Sequence, residues 1–416
     1  MRILRPTYLS RLIAHKHNRL IKIITGIRRC GKSFLLFDFF RKHLHDEGVD
    51  DNHIIGISLD DRKYKELRNP DTCYEYVSSR LKDNRMHYVL LDEVQLMDEF
   101  EDVLNGFLHF DNADVYVTGS NSRFLSTDII TEFRGRGDEI RIHPLSFAEF
   151  YEFRKGDWQD AWNEYSTFGG LPFVLQLASH EEKLRYLQNL FRQTYLRDII
   201  DRNKIRNDSE LDELVDLVAS SIGSLTNPQK LTNTFQSRKN VRVSAPTVKQ
   251  YLDYLRDAFL IEKALRYDIK GKKYINTPAK YYFEDIGLRN ARLNFRQQEE
   301  THIMENIVFN ELRNRGFAVD IGIVELREKQ LGKYVTKRTE IDFIANKGSQ
   351  RYYIQSAFAI PTEEKQAQEK RPLLGVADSF KKIIIVKENI MLRRDEYGIT
   401  TMGLKEFLLN PDSLNL

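Results

Sequence analysis

Short apolar runs that end in polar or acidic residues punctuate the first third of the chain: LIKIIT (20–25), HIIGISLDD (53–61), HYVLLDEVQ (87–95) and DVYVTGSNSRF (114–124). A run that is apolar throughout fits a strand covered on both faces, the condition of a parallel sheet. The first run passes through a turn into a helical pattern, FLLFDFF. From 151 to 206 aromatic and leucine residues recur at helical spacing, interrupted by the Gly-Gly turn and proline of FGGLP (168–172).

The pattern changes beyond 206. SELDELVDLVASSIGS is amphipathic at helical period, and NPQKLTNTF is a short helix after a proline turn. VSAPTVKQYLDYLRDAF starts from Ser244 as an N-cap and carries Val248, Tyr251, Leu252 and Leu255 on one face. Two strands, LIEKALRY and KKYINTPAKYYFED, follow with the turn DIKGK between them. Three helices and a hairpin make the winged-helix order, and such a unit can place a helix in a major groove. HIMENIVFNELRNRG (302–316) then reads as a helix, TEIDFIANKGSQRYYIQSAFAI (339–360) as a hairpin and DSFKKIIIVKEN (378–389) as a buried strand. LKEFLLNPDSLNL reads as a terminal helix and tail. The chain divides into a parallel-sheet core at 1–150, a helical lid at 151–206, a winged-helix-like segment at 207–285 and an α/β region at 286–416. A length of 416 residues suits that organisation.

Composition narrows the classes. Hydrophobic residues make up 41% of the chain and charged residues 30%, enough apolar content for real cores. A net charge of +3 is too small to argue for nucleic acid by itself, so any basic surface is local. The cysteines, Cys30 and Cys73, have no metal-ligand spacing and imply no disulfide framework, which fits a reduced, cytoplasmic setting. The N-terminus has no apolar signal core, and no stretch approaches the roughly 18 apolar residues of a membrane helix.

Chemistry concentrates where the first and third strands end. GIRRCGKS (26–33), between a strand and a helix, has the spacing of a phosphate-binding loop. Gly26 and Gly31 let the backbone N–H groups converge on phosphate oxygens, and Ile27, Arg28, Arg29 and Cys30 complete the loop. The following helix, through Phe34, points its positive end at the same anion. Lys32 is placed to reach the β- and γ-phosphates and Ser33 to ligate Mg²⁺. Asp92, at the end of the apolar strand, is placed to hold Mg²⁺ through water, and Glu93 to polarise the attacking water. Thr118, Ser120 or Asn121 is placed to sense the γ-phosphate or to cap a helix. Asp60 and Asp61 end the second strand and suit a turn. Arg134 and Arg136 lie among glycines, an expected mobile pair near the ligand edge or a solvated turn.

RRCGKS, LLDEVQ, TGSNSRFLS, GRGDEIRIHPLSFAEF and FGGLP together resemble a family of prokaryotic AAA-like ATPases whose ATPase is followed by a C-terminal domain of uncharacterised function. The resemblance implies a P-loop NTPase core of the additional-strand type, a small helical lid, a winged helix and a restriction-nuclease-like α/β domain. It implies ATP and Mg²⁺ at Gly26, Gly31, Lys32, Ser33, Asp92 and Glu93, and it puts Arg136 at the family's glycine-flanked arginine position. ATP over GTP rests on the resemblance alone. An arginine supplied in trans requires an oligomer.

Two further sites follow from residue type. Lys249, Arg256, Lys270, Lys272 and Lys273 on the winged-helix-like segment are placed to meet DNA phosphates, although many such folds bind only protein. The 339–360 hairpin looks like a PD-(D/E)XK nuclease core, in which Asp342 takes the first metal position and Glu305 the helix acid. Where that core needs Glu-x-Lys, this chain has Gln355-Ser356-Ala357. A neutral amide binds Mg²⁺ poorly and alanine cannot position water. The expectation is a nuclease-like fold without cleavage, with Lys347 and Lys365 as the lysines that keep cleavage open. A Mg-dependent ATPase is thus expected, with an ATP-gated switch for a protein partner and a DNA-binding regulator as alternatives.

Overall fold

The computed structural model describes residues 3–119, 135–239, 243–297, 299–330 and 333–416. Two compact units emerge. The first comprises Met1–Pro144, Leu171–Gln176 and Arg256–Leu260, and the second comprises Leu145–Gly170, Leu177–Leu255 and Ile261–Leu416.

The first unit is built on a five-stranded parallel sheet: β1 (Ile21–Thr25), β2 (Ile54–Ser58), β3 (His87–Asp92), β4 (Ala113–Thr118) and β5 (Gly137–Arg141), in the order β2-β3-β4-β1-β5. All residues of β1 and β3 are buried, Lys22 among them through its ion pair with Asp114 of β4. On one face Ile21, Ile23, Val89, Leu91, Val115 and Val117 pack with Cys73 and Val77 of the helix Pro70–Ser78 and Leu104 and Phe107 of the helix Phe100–Phe107. The two motif strands are not neighbours: β4 lies between β1 and β3, and β2 lies outside β3. β2 stops at Ser58, before the polar tail of its run, because Asp60 and Asp61 leave the ladder for a turn. Asp61 accepts a bond from the Lys63 N–H at 2.9 Å and caps a 3₁₀ segment, the turn role expected of it.

The second unit begins with helices, among them Phe147–Arg154, Trp158–Phe168, His180–Leu190, Asp208–Ala219 and Pro228–Lys239. Its sheet has eight strands, β6 (Ile261–Asp268), β7 (Lys273–Phe283), β8 (Ala318–Gln330), β9 (Lys333–Lys347), β10 (Gln350–Ala357), β11 (Lys381–Val386), β12 (Arg393–Arg394) and β13 (Ile399–Gly403). The order is β12-β13-β11-β10-β9-β8-β6-β7, with parallel and antiparallel pairs. The β6–β7 hairpin continues this sheet: β6 pairs with β7 on one side and runs parallel to β8 on the other, Arg266 opposite Ile321. One sheet therefore spans residues that the sequence pattern divides at 285.

The two glycines of FGGLP gain a packing reason in this unit. A Cβ on Gly170 would stand 2.3 Å from the Leu145 carbonyl oxygen, and one on Gly169, at φ +75°, 2.3 Å from Asp285 Oδ1. Asp285 is 2% exposed and accepts bonds from the Gly170 N–H at 2.7 Å and the Leu288 N–H at 3.0 Å. Burial pushes its carboxyl up to about 6. Asp285→Asn is expected to cost about 2 kcal/mol, because an amide NH₂ would face backbone donors. A lowered urea midpoint with an unchanged m-value is the readout.

Candidate nucleotide site

The loop after β1 is shaped by its neighbours as well as by its glycines. Gly26 has φ +138°, and a Cβ there would lie 2.1 Å from the Ile142 carbonyl oxygen, so only glycine fits. Gly31 has φ +101° and Arg29 φ +65°, both left-handed. Cys30 is buried, with Sγ 3.6 Å from the Ile142 carbonyl oxygen that donor can reach. Arg28 is half-buried, Arg29 exposed and Phe34 37% exposed. Arg5 braces the loop from behind: it is 5% exposed and donates to the carbonyls of Cys30 at 3.3 Å, His143 at 2.7 Å and Pro144 at 3.3 Å. Nothing in the sequence marks Arg5 for this. It is a cation directly before the helix Pro6–Ala14, and it reaches carbonyls far along the chain.

Lys32 is 4% exposed, and its ammonium donates to the carbonyls of Gly26 at 2.8 Å and Ile27 at 3.1 Å. A buried ammonium satisfied only by neutral oxygens is poised for an anion. Across the loop Ser33 Oγ donates to Asp92 Oδ1 at 3.0 Å. Thr118 Oγ1 donates to the same oxygen, and Ser58 Oγ donates to Oδ2 at 3.4 Å. Hydroxyls from β2, β4 and the loop helix thus surround a carboxylate that is 3% exposed. Burial raises the Asp92 pKa against the hydrogen bonds of Thr118 and Ser33. An all-oxygen set of hydroxyl and carboxylate fits Mg²⁺, a hard cation that keeps several waters.

Glu93 leaves the strand at φ +53°, a left-handed conformation seldom taken by glutamate. Its N–H donates to Thr118 Oγ1 at 3.1 Å, and Gln95 Nε2 donates to its carboxylate. One hydroxyl, Thr118, therefore ties Asp92 to the Glu93 backbone. Of the three polar residues proposed at the end of β4, Thr118 is at the site; Ser120, Asn121 and Arg134 lie outside the described residues. Ser58 escaped sequence reasoning because a serine at a strand end is indistinguishable from a cap.

The placement expected for Arg136 needs correction. Residues 137–141 form β5 in parallel register with β1, Gly137 opposite Ile21 and Arg141 opposite Thr25, and the Ile21 N–H donates to the Arg136 carbonyl at 2.9 Å. Arg136 is exposed at the amino end of the sheet, while residues 26–33 lie at the carboxyl end. A five-residue strand separates them, about 16 Å at the usual rise. The glycines that suggested a mobile ligand-edge loop instead flank the entry to an edge strand.

In the second unit an acid cluster forms around a lysine. Lys280 of β7, 5% exposed, lies 3.0 Å from Glu305 Oε1 and 3.9 Å from both Glu340 Oε2 and Asp342 Oδ1. Tyr282 OH donates to Glu305 Oε1 at 2.6 Å, and the Ser356 N–H donates to Asp342 Oδ2 at 2.9 Å. Burial opposes the Lys280 charge, but Glu305, Asp342 and Glu340 together hold its pKa above the ordinary value. Burial and Glu305 push Asp342 up to about 7. Glu305 and Asp342 do converge as expected. Lys347 and Lys365 do not join them: Lys347 donates to the Arg315 carbonyl at 2.7 Å, and Lys365 pairs with Glu369 at 2.6 Å. Lys249, Arg256, Lys270, Lys272 and Lys273 are all exposed.

Sheet order, loop and paired carboxylates define the AAA+/P-loop ATPase fold, and residues 18–151 match the family model of an AAA domain. Residues 159–299 match a second model, described as a domain of unknown function. The chain belongs to the same family as an uncharacterized protein of Haemophilus influenzae, 34% identical over 389 residues that cover 92% of this chain and 93% of that one. It is also similar to the uncharacterized protein MJ1544 of Methanocaldococcus jannaschii, at 27% identity over 94% of this chain and 86% of that one. Among solved structures it matches the Aeropyrum pernix ORC1 protein in complex with DNA, at 12% identity, 70% of this chain, 92% of that chain and a TM-score of 0.29. Among the described residues no helix is long and apolar enough to cross a membrane.

Proposed function

We propose that this protein binds Mg-ATP at residues 26–33 and hydrolyses it slowly, using the nucleotide state to set how its second unit meets a partner. The observation that carries the reading is the Ser33 hydroxyl 3.0 Å from Asp92, beside a buried Lys32 held by the Gly26 and Ile27 carbonyls. Ser33 and Asp92 would hold Mg²⁺, which when bound supplies charge neutralisation between the β- and γ-phosphates. Lys32 leaves its loop carbonyls for phosphate oxygen, and the loop N–H groups orient the chain of phosphates. Glu93 accepts a proton from water at its carboxylate, and Thr118 keeps that carboxylate in register with Asp92. Steady-state ATP hydrolysis by the wild-type protein, with and without duplex DNA, is the test. Turnover absent in Mg-ATP would remove the enzymatic half of the reading.

Arg136 then serves a second copy. From the amino end of the sheet it reaches no phosphate of its own chain, so a role in phosphoryl transfer is exerted on a neighbour's nucleotide. Arg136→Ala is expected to lower turnover about 10³-fold or more while nucleotide affinity stays unchanged. Mixing it with Lys32→Ala, itself inactive, should restore activity by pairing an intact arginine with an intact loop. No recovery on mixing would leave Arg136 without that role.

The second unit is read as a winged-helix-like segment joined to a nuclease-like sheet that recognises without cutting. Gln355 and Ala357 stand where a metal-dependent nuclease needs an acid and a lysine. DNA is the partner favoured by the exposed Lys249, Lys270, Lys272 and Lys273. Duplex affinity that falls steeply with salt, and less steeply in a Lys270/Lys272/Lys273→Ala variant, supports it. Affinity indifferent to salt favours a protein partner instead.

A further inference from the structure

The amino-terminal edge of the first sheet carries a second constellation that the nucleotide chemistry does not use. β2 and β3 are parallel neighbours with Ile54 opposite Tyr88, so the preceding residues, His53 and His87, are brought side by side. Their rings lie 4.6 Å apart between centroids, and the residues are 5% and 1% exposed. The turn between the helix Pro70–Ser78 and β3 brings Asp83 to the same place, its carboxylate oxygens 3.1 and 3.2 Å from His53 Nε2. One ligand atom from each of His53, Asp83 and His87 falls within 4.8 Å of the others.

The second nitrogen of each ring is already committed. His53 Nδ1 lies 2.9 Å from Asp50 Oδ1, and His87 Nδ1 lies 2.8 Å from the Arg85 carbonyl oxygen. A carboxylate on one histidine and a backbone carbonyl on the other are the partners that fix the tautomer of metal-bound imidazole, turning Nε2 inward as the ligand. Two buried histidines oriented in this way, facing a shared carboxylate, are more than a solvated acidic turn. Three protein ligands leave a fourth position, and a cavity of about 350 Å³ lined by Asp83, Met86, Asp111 and Asn112 adjoins it. The competing cation is the Arg85 guanidinium, 3.0 Å from Asp83 Oδ2, but that side chain is 69% exposed and free to swing into water at little cost.

We propose that His53, His87 and Asp83 form a site for a divalent transition metal of the zinc class, with water from the adjoining cavity as fourth ligand. Two imidazoles and one carboxylate suit Zn²⁺, Co²⁺ or Ni²⁺. The set is poor for Mg²⁺ and Ca²⁺, which take oxygen ligands, so this site and the nucleotide site select different ions. In a tetrahedral site adjacent ligand atoms stand roughly 3.3 Å apart, His53 Nε2 and the Asp83 oxygens stand 3.1 and 3.2 Å apart, and the His87 ligand atom lies within 4.8 Å of both. The ion would pin the turn at 79–86 to the starts of β2 and β3, at the edge away from the phosphates.

The test uses the full chain, stripped with a chelator and dialysed free of it. Zn²⁺ binding is followed by calorimetry and Co²⁺ binding by its visible ligand-field bands, for wild type, Asp83→Asn, His87→Gln and Asp50→Asn. The expected result is one equivalent bound in the micromolar range or tighter, with Co²⁺ bands of low-coordinate geometry. Asp83→Asn and His87→Gln are expected to lose saturable binding, and Asp50→Asn to weaken it about 10- to 100-fold by freeing the His53 ring. Mg-ATP binding, measured on every variant, reports whether the fold survives. Asp83 is a surface turn residue, so its variant decides the matter if His87→Gln does not fold. No saturable uptake by the wild type, or equal uptake by wild type and Asp83→Asn, would overturn the proposal.

Discussion

Glu93→Gln is expected to bind ATP as tightly as the wild type and to turn it over about 10²- to 10⁴-fold more slowly, the usual contribution of a positioned general base. Lys32→Ala is expected to lose nucleotide binding itself. The separation follows from where the two side chains stand. The Lys32 ammonium is buried against the Gly26 and Ile27 carbonyls, with no carboxylate as partner among the described residues, so its charge is available to phosphate from the start. Alanine removes that charge and leaves the two carbonyls facing the anion. Glutamine in place of Glu93 keeps the size, the left-handed backbone and the Thr118 contact to the N–H, and removes only the basic oxygen. Fluorescent nucleotide binding and single-turnover hydrolysis on the same preparations measure both. Full turnover by Glu93→Gln would move the base elsewhere. Equal loss of binding in both variants would show that Glu93 holds the site together instead of acting in the chemical step.

A third substitution divides the Asp92 neighbourhood. Thr118→Val keeps the shape of the side chain and removes the hydroxyl that bridges Asp92 and the Glu93 N–H. Two buried polar groups then lose a partner, about 1–3 kcal/mol each where no water replaces it. The expected signature is a fall in kcat with little change in KM, since the Thr118 hydroxyl bridges Asp92 and the Glu93 N–H.

What could be read from the sequence depended on whether the information was local. Residues 26–33 declare their chemistry because the glycines, lysine and serine act within one turn of chain. The apolar runs of β1, β2, β3 and β4 were legible because both faces of each strand are covered. β5 was not, because GDEIR is an edge strand with one polar side, and alternating short edges look like loops. That omission carried Arg136 to the wrong end of the sheet. Arg5 and the His53–Asp83–His87 group were missed for a shared reason. Each is assembled by parallel pairing or by loops distant in sequence, where no spacing rule applies. The β6–β7 hairpin was found, but its second partner, β8, lies some fifty residues further on and gives no local sign.

Lys280 shows how far a long-range partner can invert a local reading. In PAKYYF the lysine opens a strand end whose next residues are buried, and charge alone would mark it as surface. It is instead the cation of the second unit's acid cluster. Lys280→Met is expected to destabilise the protein by about 3–5 kcal/mol, because Glu305 keeps its burial and loses its counter-ion. Asp342→Asn should do the reverse at high pH. Its folded-state pKa of about 7 lies above the ordinary aspartate value of about 3.9, so the folded state holds an extra proton between those values. Its contribution to stability therefore falls as pH rises from about 4 to 7 and stays low above. The Asn variant never pays for a buried charge, so it should gain on the wild type across that window and be the more stable at pH 8. Urea midpoints at pH 5 and pH 8 measure the crossover. Adding Mg²⁺ or Mn²⁺ to Lys280→Met then separates two pictures of the domain. Rescue by the divalent ion would mean that the acids still compose a metal site which the lysine fills. Without rescue, the ammonium is an integral part of the fold.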